Sequence, residues 1–379
     1  MTFSKADYEF MSRAIKLAAK GCFTTTPNPN VGCVIVKDYA ILGEGWHQKA
    51  GFGHAEVNAL EGLSSEYTEG STAYVTLEPC SHFGRTPPCA KKLIDAKVTK
   101  VVIAMLDPNP KVSGNGVRML QEAGIEVTHG ILEADARALN LGFLTRMEQK
   151  RPFIQVKLAA SLDGKTALNN GDSKWITSSQ ARRDVQIHRA KSCAIVSSAQ
   201  TVIADNAKLN VRQSDLPLEY PKTDTIKSVR QPVKIILDGR GQITAQNVES
   251  LDLFHDSTQV ILVRKESTTS FEPFSHISVV TMPYSSHDGF DLEALNEWCY
   301  QQEFGVVWVE AGAQLAASFV NSGLYDELIV YLAPKLMGQD SRDMLPIGPF
   351  SKMSEVQNLQ LKSLVSIGDD LKLTYEQAV

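Results

Sequence analysis

The sequence predicts two α/β domains in tandem, each with strands and helices in alternating layers. Three observations carry this. Short apolar runs suited to buried strands, such as TAYVTL (72–77) and KVVIAML (100–106), alternate with segments of helical period in both halves. The chain has 379 residues, enough for two domains of about 100–200 residues each. A polar stretch, GFLTRMEQKRP (142–152), leads to Pro152, and the apolar run PFIQVKLAAS restarts the pattern. The boundary is placed in that stretch, with 1–147 as the first domain and 148–379 as the second.

Residues 5–20 read as an amphipathic helix, with Met11, Ile15 and Ala18 on one side and Gly21 as a stop. VGCVIVK (31–37) and AILGEGW (40–46) read as paired strands around a turn at Asp38. A helix over 55–63 precedes the strand at 72–77, and another begins near Cys89 before the strand at 100–106. Residues 114–124 suit a helix ended by Gly124, followed by the strand IEVTH and a helix near 132–140. This alternation predicts a largely parallel sheet. In the second half a helix is expected at 178–191, then the strand CAIVSS. Further strands are expected at 233–238, 259–263 and 306–310, with DELIVYLAP and LKLTYE near the end. Residues 211–231 are polar and read as a surface excursion. The sequence has no internal repeat and no low-complexity tract.

Composition narrows the function classes. Hydrophobic residues make up 43% and charged residues 21%, as in an ordinary globular chain. No apolar run approaches the ~18–20 residues of a membrane span, so no membrane partner is expected. MTFSKADYEF lacks an apolar signal core, so a cytoplasmic location is expected. A net charge of −5 argues against broad capture of nucleic acid, while leaving room for a local basic pocket. The six cysteines (Cys22, Cys33, Cys80, Cys89, Cys193 and Cys299) read as buried thiols, metal ligands or catalytic groups rather than a disulfide framework.

Two of those cysteines stand in TLEPCSHFGRTPPC, each directly after a proline. Upstream, GHAEVNAL places His54 two residues before Glu56. His54, Cys80 and Cys89 would supply three ligands and leave a fourth position open, the pattern of catalytic zinc. Nucleobase deaminases combine H-x-E with P-C-x-x-C, but here eight residues separate the cysteines. Longer loops cost little to close. A thiolate at a helix N-terminus has a lowered pKa and ligates well. His54 and Glu56 would not face the same way within a helix, so the pair works only at a helix start. Taken singly, an H-x-E pair reads as a solvated helix start and two spaced cysteines as core or redox thiols; in this order together they read as a zinc site. His82 as a fourth ligand would make the site structural and leave Glu56 without a task.

The chemistry follows from charge. Zinc lowers the pKa of bound water, and Glu56 would move protons from that water to a ring nitrogen and a leaving amine. Asn28, in a proline-bracketed loop, would either bind substrate or serve as a turn residue. Two rivals remain at this level: an RNA or DNA base deaminase, and a binding protein with a structural zinc.

TPNPNVGCVIV, GHAEVNAL, TLEPCSHFGRTPPC and DPNPKVSGNG together resemble the bifunctional riboflavin-biosynthesis deaminase/reductases, which share the longer interval between the cysteines. KLAASLDGKTAL, GDSKWITSSQARRDVQIHRA, TVIADNAKLNVR and VEAGAQLAASFV resemble their reductase half. The resemblance covers nearly the whole chain, and 211–231 and 240–300 carry little of it. It implies a cytidine-deaminase-like three-layer domain followed by a dihydrofolate-reductase-like α/β domain. The first would use Zn2+ to deaminate 2,5-diamino-6-ribosylamino-4(3H)-pyrimidinone 5′-phosphate. The second would use NADPH to reduce the ribosyl group of the product to ribityl. His54, Cys80 and Cys89 would bind zinc, with Glu56 as proton donor. NADPH contacts would come from Ala159, Trp175, Thr201, Asp205 and the run Gly312, Ala313, Gln314, Leu315, Ala316, Ala317 and Ser318. Substrate contacts would come from Ser173, Arg189, Leu209, Arg212 and Glu310. A homo-oligomer, dimer or larger, is also implied.

The residues themselves allow these roles. GVVWVEAGAQLAASF reads as strand, glycine turn and helix start, a junction that offers free N–H groups to a phosphate. ITSSQARRDV begins a helix with Thr177 and Gln180 in capping-box spacing. Arg189 lies four residues after Val185, bordering the apolar stripe, and with Arg212 would grip a sugar phosphate by forked hydrogen bonds. Arg85 would hold the phosphate in the deaminase site or be a surface charge. Lys157 would face the reductase cleft or form a structural ion pair. Trp175 would pack on the cofactor or sit in the core.

Overall fold

Ser4 opens the first helix with a capping box: its hydroxyl accepts from Asp7 N, and the Asp7 carboxylate accepts from Ser4 N. The computed structural model describes residues 3–81, 87–109, 113–217, 229–266, 271, 274–287 and 289–378. Contacts divide the chain into two units, one built mainly on Met1–Lys150, the other on Arg151–Leu218 and Arg230–Val379.

In the first unit the elements run α1 (Lys5–Ala19), β1 (Gly32–Lys37), β2 (Ala40–Trp46), α2 (Ala55–Ala59), α3 (Ser65–Thr68), β3 (Thr72–Leu77), α4 (Cys89–Asp95), β4 (Lys100–Met105), α5 (Asn115–Glu122), β5 (Glu126–His129), α6 (Glu133–Ala138) and α7 (Leu141–Gln149). The sheet order is β2-β1-β3-β4-β5. The expected largely parallel sheet is in fact mixed, because β1 runs antiparallel to both β2 and β3 while β3, β4 and β5 are parallel. Asp38 and Tyr39, both at positive φ, make the tight turn that forces the antiparallel start. Side-chain alternation splits the core into two layers. Val34, Val36, Tyr74, Val102 and Ala104 pack with Met11, Ala14 and Leu17 of α1. Cys33, Ile35, Ala73, Val75, Val101 and Ile103 pack with Ala55 and Ala59 of α2, Leu93 of α4 and Leu120 of α5. Most of the polar stretch in which the boundary was placed is the helix α7: Leu144 joins the first core layer, and Phe143 packs against it.

The second unit runs β6 (Phe153–Ser161), β7 (Lys165–Ala167), α8 (Ser179–Lys191), β8 (Ala194–Ser198), α9 (Ala199–Asp205), β9 (Val233–Leu237), β10 (Val260–Arg264), β11 (Ile277–Thr281), β12 (Tyr284–Ser285), β13 (Gly289–Phe290), α10 (Leu292–Gln301), β14 (Val306–Glu310), α11 (Ala313–Asn321), β15 (Glu327–Ala333), β16 (Arg342–Asp343), β17 (Leu359–Ile367) and β18 (Asp370–Gln377). Nine strands form one sheet in the order β11-β10-β9-β8-β14-β6-β15-β18-β17. From β11 to β15 all neighbours are parallel, and β18 and β17 add an antiparallel edge. Again the faces alternate: Val307 and Val309 meet Phe319 of α11, while Trp308 lies with Val185 of α8. The cap of α8 is Ser178, one residue past the expected Thr177, and its hydroxyl accepts from Ala181 N. Part of the expected surface excursion, 218–228, lies outside the described residues; before it, Val211 and Leu216 are buried.

Candidate active sites

In the first unit the candidate metal ligands converge where α2 and α4 begin. His54 is the N-cap of α2, with extended backbone (φ −72°, ψ 167°), so it leaves the helical track. Glu56 lies in the first turn and is 3% exposed. The two point to one place, as the helix-start argument requires. Gly45 lets α2 press on β2: a Cβ there would lie 2.3 Å from Ala59 N. Cys89 opens α4, and its backbone N–H donates to Cys80 Sγ at 3.3 Å. One ligand atom from each of His54, Cys80 and Cys89 lies within 4.8 Å of the others. His54 Nδ1 is 3.2 Å from Cys89 Sγ and 3.6 Å from Cys80 Sγ. Tetrahedral zinc, with Zn–N about 2.0–2.1 Å and Zn–S about 2.3 Å, sets N and S about 3.5 Å apart, so these residues fit the ion.

The electrostatics agree. The Cys80 thiol is held down to about 4, first by the hydrogen bond from the Cys89 thiol and further by His54 and the Cys89 backbone N–H. The Cys89 thiol is pushed up by its hydrogen bond to Cys80 and by burial, so it keeps the pair's remaining proton, which a dication would displace. Burial pushes the Glu56 carboxyl up, against the pull of His54. A carboxyl that holds its proton more tightly than usual suits a group that both accepts and returns one.

Two residues that the sequence reading passed over support this site. His47, kept neutral by burial, donates from Nδ1 to the Gly53 carbonyl (3.1 Å), so its Nε2 accepts from Asn28 Nδ2 (3.1 Å). This fixes the Asn28 amide and leaves its oxygen as the available acceptor. Glu78 takes four backbone N–H groups, from Asp107, Gly114, Gly116 and Val117. That clamp, together with Gly116, whose Cβ would lie 2.1 Å from Pro79 O, accounts for the DPNPKVSGNG segment. His82 and Arg85 lie outside the described residues.

In the second unit Arg189 meets Glu310 at the C-terminal end of β14, where ligands bind in open α/β sheets. Glu310 pairs in register with Lys157, whose Nζ is 4.0 Å from the carboxylate. Of the two readings of Lys157, the ion pair is the one seen. Arg189 does not stand free for a phosphate: Nε and Nη2 fork onto Glu310 (both 2.8 Å), and Nη1 donates to Asn210 O. Burial raises the Glu310 carboxyl, but Arg189 and then Lys157 outweigh it and hold the group at about 2. Burial also lowers the Lys157 ammonium. Arg212 is bound to Asp215 at 2.7 Å. Leu209 is buried at φ +49°, and Ser173 is half-buried.

Of the cofactor candidates, Thr201 and the start of α11 are brought together. Thr201 Oγ1 accepts from Gly312 N at 3.2 Å, joining α9 to the start of α11. Gly312 caps α11 without a side-chain bond, leaving the first-turn N–H groups for a ligand phosphate. Ala313 to Ser318 form the opening turns of this helix, Ala159 lies half-buried on β6, and Asp205 is exposed at the end of α9. Trp175 is 64% exposed, so the core reading does not hold; the Arg182 guanidinium lies 4.4 Å from its ring. Helix-start donors at Gly312 suit a cofactor phosphate.

Comparisons agree with both halves. The family model for the cytidine and deoxycytidylate deaminase zinc-binding region matches residues 4–105, and that for the RibD C-terminal domain matches 152–373. The riboflavin biosynthesis protein RibD of Haemophilus influenzae is 48% identical over 99% of this chain and 98% of its own length. The Escherichia coli protein of the same name is 45% identical over 97% and 98%. The solved structure of Acinetobacter baumannii RibD superposes with a TM-score of 0.89 at 41% identity, covering 99% of both chains. A Thermotoga maritima structure, described as a diaminohydroxyphosphoribosylaminopyrimidine deaminase/5-amino-6-(5-phosphoribosylamino)uracil reductase, gives 0.85 at 32% identity over 98% and 99%.

Proposed function

We propose that this chain, which belongs to the RibD family of bifunctional riboflavin-biosynthesis enzymes, runs that family's two reactions on the two residue sets described above. The enzyme is a zinc-dependent deaminase and an NADPH-dependent reductase. It deaminates 2,5-diamino-6-ribosylamino-4(3H)-pyrimidinone 5′-phosphate and reduces the ribosyl group of the product, 5-amino-6-(5-phosphoribosylamino)uracil, to ribityl. The observation that carries the reading is the cluster of His54, Cys80 and Cys89 with Glu56 buried beside it.

In this reading His54, Cys80 and Cys89 hold zinc, which when bound supplies an ionised solvent oxygen near neutral pH. Glu56 takes up the solvent proton on its carboxylate, passes it to the ring nitrogen, and carries the next to the departing amine. Asn28, its amide fixed by His47, presents an acceptor to the pyrimidine. Arg85 takes the phosphate. In the reductase, NADPH when bound would supply hydride to ribose C1′ as the C1′–O4′ bond opens and O4′ takes a proton. The α11 N-terminus, Thr201, Asp205, Ala159 and Trp175 hold that cofactor. Lys157 and Glu310 grip the ribose hydroxyls as donor and acceptor, and Ser173, Leu209 and Arg212 line the rest. Arg189 acts through Glu310, as its fork onto that carboxylate supports.

The reading also places the enzyme in the cytoplasm, where six cysteines outside any disulfide are stable. It makes the enzyme a homo-oligomer, supported by Leu359, Leu361, Leu364 and Val365 standing exposed on β17, the sheet's edge strand. Purified protein given the diamino-pyrimidinone, zinc and NADPH tests the function. Ammonia release with matching loss of nicotinamide absorbance is expected, and ammonia without NADPH consumption would overturn the reductase half.

A further inference from the structure

We propose that Trp308 is a positioning residue for Glu310, its indole N–H fixing the plane of the carboxylate while the His188 imidazole braces the ring from behind. The inference rests on the reading of Glu310 as a substrate contact. Trp308 and Glu310 are two apart on β14 and therefore share a face of the sheet. Trp308 Nε1 donates to Glu310 Oε2 at 3.0 Å, and the ring is fully buried. His188 stacks on that ring at 4.7 Å with 14° between planes.

The brace is anchored in turn. His188 Nε2 lies 3.7 Å from Asp184 Oδ2, one turn earlier on α8. The same oxygen accepts from the Tyr331 hydroxyl (2.5 Å) and from Lys372 Nζ (2.7 Å). Burial pushes His188 down to about 4, so the stacked imidazole is neutral near pH 7 and brings no charge against Arg189. Oε2 of Glu310 is thus held from two sides, by Arg189 Nε and by Trp308 Nε1. Oε1 takes Arg189 Nη2 and faces Lys157, toward the proposed substrate. Without the indole donor the carboxylate could rotate about the Arg189 fork. The charged and titratable groups facing Glu310 are Lys157 on β6, Arg189 and His188 on α8, and Tyr331 on β15.

Trp308→Phe removes the donor and keeps an aromatic ring in the stack. Reductase kcat should fall about tenfold, the effect of one hydrogen bond to a charged group, with KM for NADPH nearly unchanged. The acid limb of the reductase pH profile should move to higher pH, and deamination should be unaffected. A merely structural tryptophan would leave that limb in place. In parallel, the indole N–H resonances of the protein's four tryptophans can be assigned with Phe variants at Trp46, Trp175 and Trp298. The Trp308 signal should lie downfield and move upfield in Glu310→Gln. This second measurement decides the matter even if the Trp308 variant fails to fold. Parent-like kcat and pH profile in Trp308→Phe, or an indole signal indifferent to Glu310→Gln, overturns the proposal alone. A fully active Glu310→Gln reductase overturns the reading of Glu310 and this proposal with it.

Discussion

Glu78→Ala puts a number on the clamp beneath the proposed zinc ligands. The side chain is 3% exposed. Its Oε1 accepts from Gly116 N (2.9 Å) and Val117 N (3.3 Å), and its Oε2 from Gly114 N (3.0 Å) and Asp107 N (3.3 Å). Alanine strands all four donors. A buried donor left unpaired costs about 1–3 kcal/mol, so the two short contacts alone imply a loss of about 2–6 kcal/mol. The carboxylate stands two residues before Cys80, and the strand end it secures carries that ligand. Zinc affinity should therefore fall about 10–100-fold, the range for groups that orient metal ligands. Chelator competition and urea unfolding on the same preparations measure both. If Glu78→Ala held zinc and resisted urea like the parent, the clamp argument would be wrong. Glu78→Gln retains one acceptor oxygen but turns an amide NH2 toward backbone donors, so it should show the same losses at smaller size.

Glu56→Gln should keep its zinc and lose deaminase kcat by about 10²–10⁴-fold, while reducing the deaminated intermediate normally; zinc loss, or full deamination, contradicts the assigned role. Glu310 supplies a pH test. Its folded pKa of about 2 lies below the ordinary 4.5, so the folded state binds the proton less tightly. The stability it contributes is present above pH 4.5 and is lost as the pH falls toward 2, about 3 kcal/mol in all. Urea unfolding should fall away more steeply with acid in the parent than in Glu310→Gln, and equal slopes would refute this. Placing glutamates at Leu361 and Leu364 should yield a smaller species by sedimentation, and a parent already monomeric would dispose of the proposed oligomer.

The clustering of the candidate metal ligands was legible because its requirements are local. The extended N-cap at His54 and the helix start at Cys89 follow from residue order and from the prolines before the thiols. Longer-range features were not. Nothing near Glu78 in sequence reveals that it takes N–H groups from residues about thirty to forty positions downstream, although its place between a buried strand and Pro79 marks it as oddly polar. His47 gave no signal because its partner Asn28 lies across a hairpin. The 142–152 stretch read only as a polar boundary because its charges mask Leu144, which packs inward. Trp175 illustrates the opposite error: large aromatics are usually buried, and this one is held at the surface beside Arg182. In the second unit the parallel core strands stood out as apolar runs, whereas the exposed edge strand β17 was not anticipated.

X-ray absorption at the zinc edge of the purified protein bears most directly on the reading. It should find one ion per chain with two sulfurs at about 2.3 Å and two nitrogen or oxygen neighbours near 2.0 Å, one of them exchangeable solvent. Protein lacking the metal after preparation in zinc, or an ion whose shell contains no sulfur, would contradict the account.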